Sequence, residues 1–106
     1  MSTRCLIGKI NRNGLGRYIY CHHDGYPDNI LPILEENYDT EEKVDELLNI
    51  GNISSLESTL EATKGEAYNE RAEDFAYTLP RIGQEFNYLF RDSKWKVEKV
   101  KDPYRF

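Results

Sequence analysis

At 106 residues the chain suits one domain, residues 1–106, that buries roughly two-thirds of its unfolded surface and so needs no disulfide staples. Aromatic residues at 12% set it apart from disordered chains, and no apolar run reaches the ~20 residues that span a bilayer. The net charge of −5 is unevenly spread: residues 30–79 carry thirteen acidic and three basic groups, residues 80–106 seven basic and four acidic, so the middle of the chain repels phosphate backbones. No membrane association and no direct nucleic-acid binding are expected. Charge within residues 1–9 departs from a signal peptide, which makes the cytosol the expected compartment.

In chain order, residues 3–11 and 17–21 are β-leaning runs separated by Asn13-Gly14-Leu15-Gly16, where glycine supplies the positive φ of a reversal. A hairpin with its tip at Asn13-Gly14 pairs residues whose numbers sum to 26 or 27, and so brings Cys5 near Cys21. In a reducing cytosol this pair reads as two small buried hydrophobes rather than a disulfide. Ile30, Ile33, Leu34 and Tyr38 recur at helical spacing and predict a short helix over 30–38, with Pro32 tolerable only in its first turn. Asp39 followed by Glu42 predicts a capped second helix whose apolar stripe is Val44, Leu47 and Leu48 and whose stop is Gly51.

Ile53, Leu56 and Leu60 then pack beneath a Ser-rich connection, and residues 64–73 are polar enough for an exposed loop. Alternation at Phe86, Tyr88 and Phe90, then at Trp95 and Val97, predicts a C-terminal hairpin turning at Arg91-Asp92-Ser93-Lys94, with residues 75–79 as a further strand. The expected fold is α+β: a small antiparallel sheet from the N- and C-terminal hairpins, with two short helices packed on one face.

Polar and aromatic groups concentrate in Tyr20-Cys21-His22-His23-Asp24-Gly25-Tyr26-Pro27, where a strand ends and the chain turns. With Ser2-Thr3-Arg4 and Ile7-Gly8, this segment resembles the signature of a family of small phage and prophage proteins. The likeness continues through Leu34, Tyr38, the helix at Val44 and Leu47, Gly51-Asn52-Ile53-Ser54-Ser55-Leu56, and a closing Tyr88-Leu89-Phe90 and Trp95. Three departures stand out: His23 where such proteins often carry Trp, Ile30-Leu31-Pro32 where a Gly usually follows the proline, and a Tyr- and Arg-rich stretch reduced to Tyr68 and Arg71. The resemblance implies phage origin and action inside a bacterial host cell, and it carries no reaction with it.

The chemistry must come from the residues. His22, His23 and Asp24 are contiguous, and neighbours on a strand point to opposite faces, so both imidazoles reach one metal only if the turn reorients one of them. A triad of Cys21, His22 and Asp24 meets the same obstacle. No phosphate loop or paired-carboxylate motif is present, so no catalytic residue, metal or cofactor is assigned. A plain structural turn is one reading: Asp24-Gly25 reverses the chain and Pro27 fixes its exit.

A pocket is the other, in which Arg4, Tyr20, His22, His23, Asp24 and Tyr26 stack on and hydrogen-bond a small planar or phosphorylated ligand. Two functions compete, both by analogy. The favoured one is a counter-defence protein that sequesters a small nucleotide-like host immune signal, as a homo-oligomer whose interfaces complete the pocket. In the alternative, Glu35, Glu36, Asp39, Glu41, Glu42, Asp45 and Glu46 imitate nucleic acid and block the basic groove of a host defence protein. A metal-assisted hydrolase using His22, His23 and Asp24 is the third and weakest.

Overall fold

The computed structural model describes residues 3–101; Ser2 of the signature lies outside them. The elements run β1 (Cys5–Ile10), β2 (Leu15–Cys21), α1 (Pro27–Asn37), α2 (Glu41–Ile50), α3 (Leu60–Lys64), β3 (Glu73–Ala76), β4 (Phe86–Arg91) and β5 (Lys94–Lys99). Both hairpins form where the turn chemistry places them. Gly14 takes φ 86° at the first tip, and the Asn13 side chain accepts from the Leu15 N–H at 3.1 Å. Asp92 and Ser93, at φ 51° and 63°, make the two-residue left-handed turn whose twist suits paired strands. The first hairpin pairs Cys5 with Cys21 and Ile7 with Ile19.

The fold is α+β, with one correction to the sheet. Its order is β3-β2-β1-β4-β5, and the two hairpins join through β1 and β4, which run parallel, so the sheet is mixed rather than antiparallel. The reason is the long connection between the hairpins. Three helices and β3 intervene before β4 enters, and that length permits a parallel partner. The strand expected over 75–79 is shorter and earlier, because Tyr77 enters the left-handed region at φ 66° and turns the chain off the sheet.

The helices also differ in detail. α1 opens at Pro27, whose fixed φ suits the first helical position, so Pro32 lies inside the helix rather than in its first turn. Thr40, not Asp39, caps α2: its hydroxyl accepts from the Lys43 N–H at 3.2 Å, while Asp39 accepts from the Lys43 ammonium at 3.5 Å. Gly51 ends α2 at φ 87°, as expected. A third helix, α3, joins the two expected ones; it is capped by Thr59, whose hydroxyl accepts from the Ala62 N–H at 3.1 Å.

Strand alternation divides the apolar residues between two faces. Cys5, Ile7, Ile19, Cys21, Tyr88 and Phe90 face the helices and meet Ile30, Leu34, Val44, Leu47 and Leu48 in the main core. Each fully buried aliphatic side chain contributes ~1.5–3 kcal/mol against exposure. The Trp95 indole N–H donates to the Tyr38 carbonyl at 2.7 Å and fastens β5 to the end of α1. The other face carries a smaller cluster of Leu6, Tyr18 and Phe75 with Ile10, Tyr20 and Leu89 against it, and among the described residues no helix covers it.

Candidate functional site

β2 hands the chain to a turn that the rest of the fold holds from beneath. The His22 and His23 N–H groups donate to the carbonyls of Ile53 and Ser54 at 3.1 and 2.8 Å. Asp24 adopts φ 55°, a conformation that aspartate tolerates better than most residues. Gly25 follows because a Cβ there would sit 2.9 Å from both the Thr3 carbonyl oxygen and the Cys5 Cβ. Its N–H donates to the Thr3 carbonyl at 2.8 Å, and its own carbonyl accepts from the buried Tyr88 hydroxyl at 2.6 Å. Asp24 and Gly25 thus shape an irregular bend rather than a tight turn, and Pro27 fixes its exit by opening α1.

The same rigid turn assembles side chains. The Tyr20 hydroxyl lies 2.7 Å from His22 Nδ1, and the His22 ring meets the His23 ring edge-on with centroids 4.5 Å apart. The two imidazoles, contiguous in sequence, are thus brought together, because the chain leaves the strand at His22. Burial pushes the Tyr20 phenol up, and the neighbouring Arg4 guanidinium partly offsets it, which places Arg4 in the same group. Tyr68 adds to this field as a second phenol, half exposed. The cluster is therefore Arg4, Tyr20, His22 and His23, with Tyr68 beside it.

Asp24 and Tyr26 take part differently. The Asp24 carbonyl accepts from the Asn29 side chain at 2.8 Å, and the Tyr26 carbonyl accepts from the N–H groups of Asn29 and Ile30 at 3.1 and 3.0 Å, starting α1. Both side chains are exposed. Sequence reasoning missed Asn52, whose side-chain oxygen accepts from the Tyr20 N–H at 2.9 Å, and gave Tyr68 no place in the site. Neither is near Tyr20 in sequence, and no spacing rule links a loop asparagine to a strand thirty residues earlier.

Beneath the turn, Cys5 and Cys21 are both buried and in thiol contact, as the hairpin register required. Burial pushes the Cys5 thiol well up, whereas its hydrogen bond to Cys21 draws the Cys21 thiol down. Cys21 in turn reaches the His23 carbonyl at 3.5 Å. Among the described residues, no three His, Cys, Asp or Glu side chains converge in a way that could hold a metal ion, His22, His23 and Asp24 included.

Of the acidic candidates, Glu35 and Glu36 lie on α1, Asp39 in the connection, and Glu41, Glu42, Asp45 and Glu46 on α2. Asp45 is committed to Lys9 at 3.0 Å and Arg17 at 3.7 Å, and Asp39 to Lys43. Glu35, Glu36, Glu41, Glu42 and Glu46 are exposed. No helix among the described residues is long and apolar enough to cross a membrane.

The fold and the cluster together define a small α+β domain with a preorganised aromatic and cationic surface group. Compared with known proteins, the chain matches no protein-family model, no curated protein and no solved structure.

Proposed function

We propose that the chain is a non-catalytic binding protein whose Arg4, Tyr20, His22 and His23 cluster takes a small nucleotide-like anion. The observation that carries this reading is the tethering of His22 through Nδ1 to the Tyr20 hydroxyl, with His23 edge-on and Arg4 alongside. Planar rings suit a base, and a guanidinium with imidazole N–H groups suits phosphate oxygens. Because backbone and side-chain hydrogen bonds hold the turn before any ligand arrives, little ordering is needed on binding. The resemblance to small phage proteins makes an immune signal of an infected bacterial cell the proposed ligand class, and sequestration of it, with a second copy completing the enclosure, the proposed role.

The test is thermal unfolding against a panel of cyclic mono- and oligonucleotides. A true ligand at a hundredfold its Kd stabilises the fold by about 2.7 kcal/mol. The shift should vanish in His22→Ala and Arg4→Ala and survive reversal of Glu41 and Glu42. If no nucleotide moves the midpoint, this reading fails. The second reading, an acidic face that engages a basic host protein, then takes its place; it is supported by the exposure of Glu35, Glu36, Glu41, Glu42 and Glu46.

A further inference from the structure

We propose that the helix-free face of the sheet carries a separate docking trough along β4 and β5, which takes an extended acidic segment of a partner protein. Two grooves of about 520 and 300 Å³ lie there, and they meet at Asn87 and Glu98, which line both. Leu79, Leu89 and Ile10 supply apolar lining. The cations on this face are Arg81 and Lys101 in one groove and Arg91 and Lys96 in the other; Glu98 is the carboxylate of the lining, and Asp92 stands 3.9 Å from Arg91. The Glu98 carboxylate is already occupied in part, accepting from the Asn87 side-chain amide at 3.1 Å.

The partner's chemistry follows from the lining. A stripe of cations above an aliphatic floor complements carboxylates that alternate with apolar side chains, and an extended chain presents side chains to one face at every second residue. Tyr77 stands at the lip, 74% exposed, and is held at φ 66° with its N–H donating to the Gly14 carbonyl. The ring lies over Gly14, where a Cβ would meet it at 2.5 Å, so its inner face packs on the first hairpin tip while its outer face is open to a partner. Lysines on an outer strand also guard against unwanted edge pairing, which accounts for Lys94, Lys96 and Lys99 but not for the apolar floor. Single-stranded nucleic acid fits less well, because it stacks on successive aromatic faces and the trough offers one exposed ring over aliphatic side chains.

The site is independent of the histidine cluster, and one titration keeps them apart. A short fluorescein-labelled peptide alternating glutamate with leucine and phenylalanine is titrated into the full chain, with anisotropy as the readout and amide chemical shifts as the map. The expected result is saturable binding that weakens with salt, shifts concentrated at Asn87, Leu89 and Lys96 rather than at His22 and His23, and a loss of about tenfold in affinity when Arg91 and Lys96 are both changed to Glu. Unchanged far-ultraviolet circular dichroism of that variant establishes that the fold is kept. Absence of saturable binding, equal affinity in the charge-reversed variant, shifts confined to the histidine cluster, or tighter binding of an oligothymidylate than of the peptide would each overturn the proposal. A concentration-dependent increase in sedimentation coefficient without peptide, abolished by the same variant, would overturn it in favour of a second copy as occupant.

Discussion

Tyr88→Phe isolates the contact on which the His22-to-Tyr26 turn rests. The ring is fully buried on the helix side of the sheet, and phenylalanine keeps its apolar surface, so the transfer contribution nearly cancels. What is lost is the 2.6 Å hydrogen bond to the Gly25 carbonyl, which belongs to a buried residue and is left desolvated without its donor. Such an orphan costs ~1–3 kcal/mol. Taking about 2 kcal/mol, and about 4 °C per kcal/mol for a domain of this size, the midpoint should fall by about 8 °C in calorimetry at neutral pH. Hydrogen exchange should localise the effect: the Gly25 amide, bonded to the Thr3 carbonyl, should lose more protection than the Ile7 amide at the sheet centre. A midpoint within about 2 °C of the parent, or protection falling evenly over the sheet, would refute the view that this bond anchors the turn.

Thr40→Ala should cost about 1 kcal/mol in urea denaturation and Asp39→Ala markedly less, since only the former removes the α2 cap. Gly51→Ala should be far more damaging, ~3 kcal/mol or more, because φ is 87° and a Cβ would strike the Glu70 carbonyl; denaturation at matched temperature checks it. Burial, with Glu73 beside it, pushes the Tyr18 phenol up to about 12, and burial also raises Tyr20, Tyr38 and Tyr88. These groups ionise more readily when unfolded, so the stability they add is complete below about pH 10 and is lost as pH climbs towards 12, which a pH series of midpoints will show. In the native state neither Cys5 nor Cys21 should react with a thiol reagent until the fold opens, so labelling should follow the opening rate and accelerate in urea.

The parts legible in the sequence are those fixed by neighbours along the chain. Asn13-Gly14 set a tip, the tip sets a register, and the register places Cys5 opposite Cys21. Asp92-Ser93 and Gly51 declared themselves in the same way, through conformations few other residues adopt. Choices between near-equivalent neighbours were harder: Asp39 and Thr40 are both good caps, and the backbone geometry decided for Thr40. Least legible were contacts between distant segments. The parallel pairing of Cys5 with Phe86, the Tyr88 hydroxyl under Gly25, and Asn52 beside Tyr20 depend on where the helices return the chain, which local pattern does not encode. The candidate cluster is therefore legible as a density of polar residues, while what holds it rigid is not.

The place of β1 in the strand order bears on how the protein is made. This first strand is central, and its partner on one side is β2, only a few residues away, while on the other it is β4, with Cys5 and Phe86 eighty-one residues apart. A nascent chain can close the first hairpin almost at once, yet one side of its middle strand stays uncovered until residues 86–91 have left the ribosome. A ribosome that stalls, or a message cut short, before that point releases a polypeptide whose most apolar strand is open to any passing partner. Quality control of this protein is thus set less by how strongly the finished sheet holds than by how promptly its fourth strand arrives.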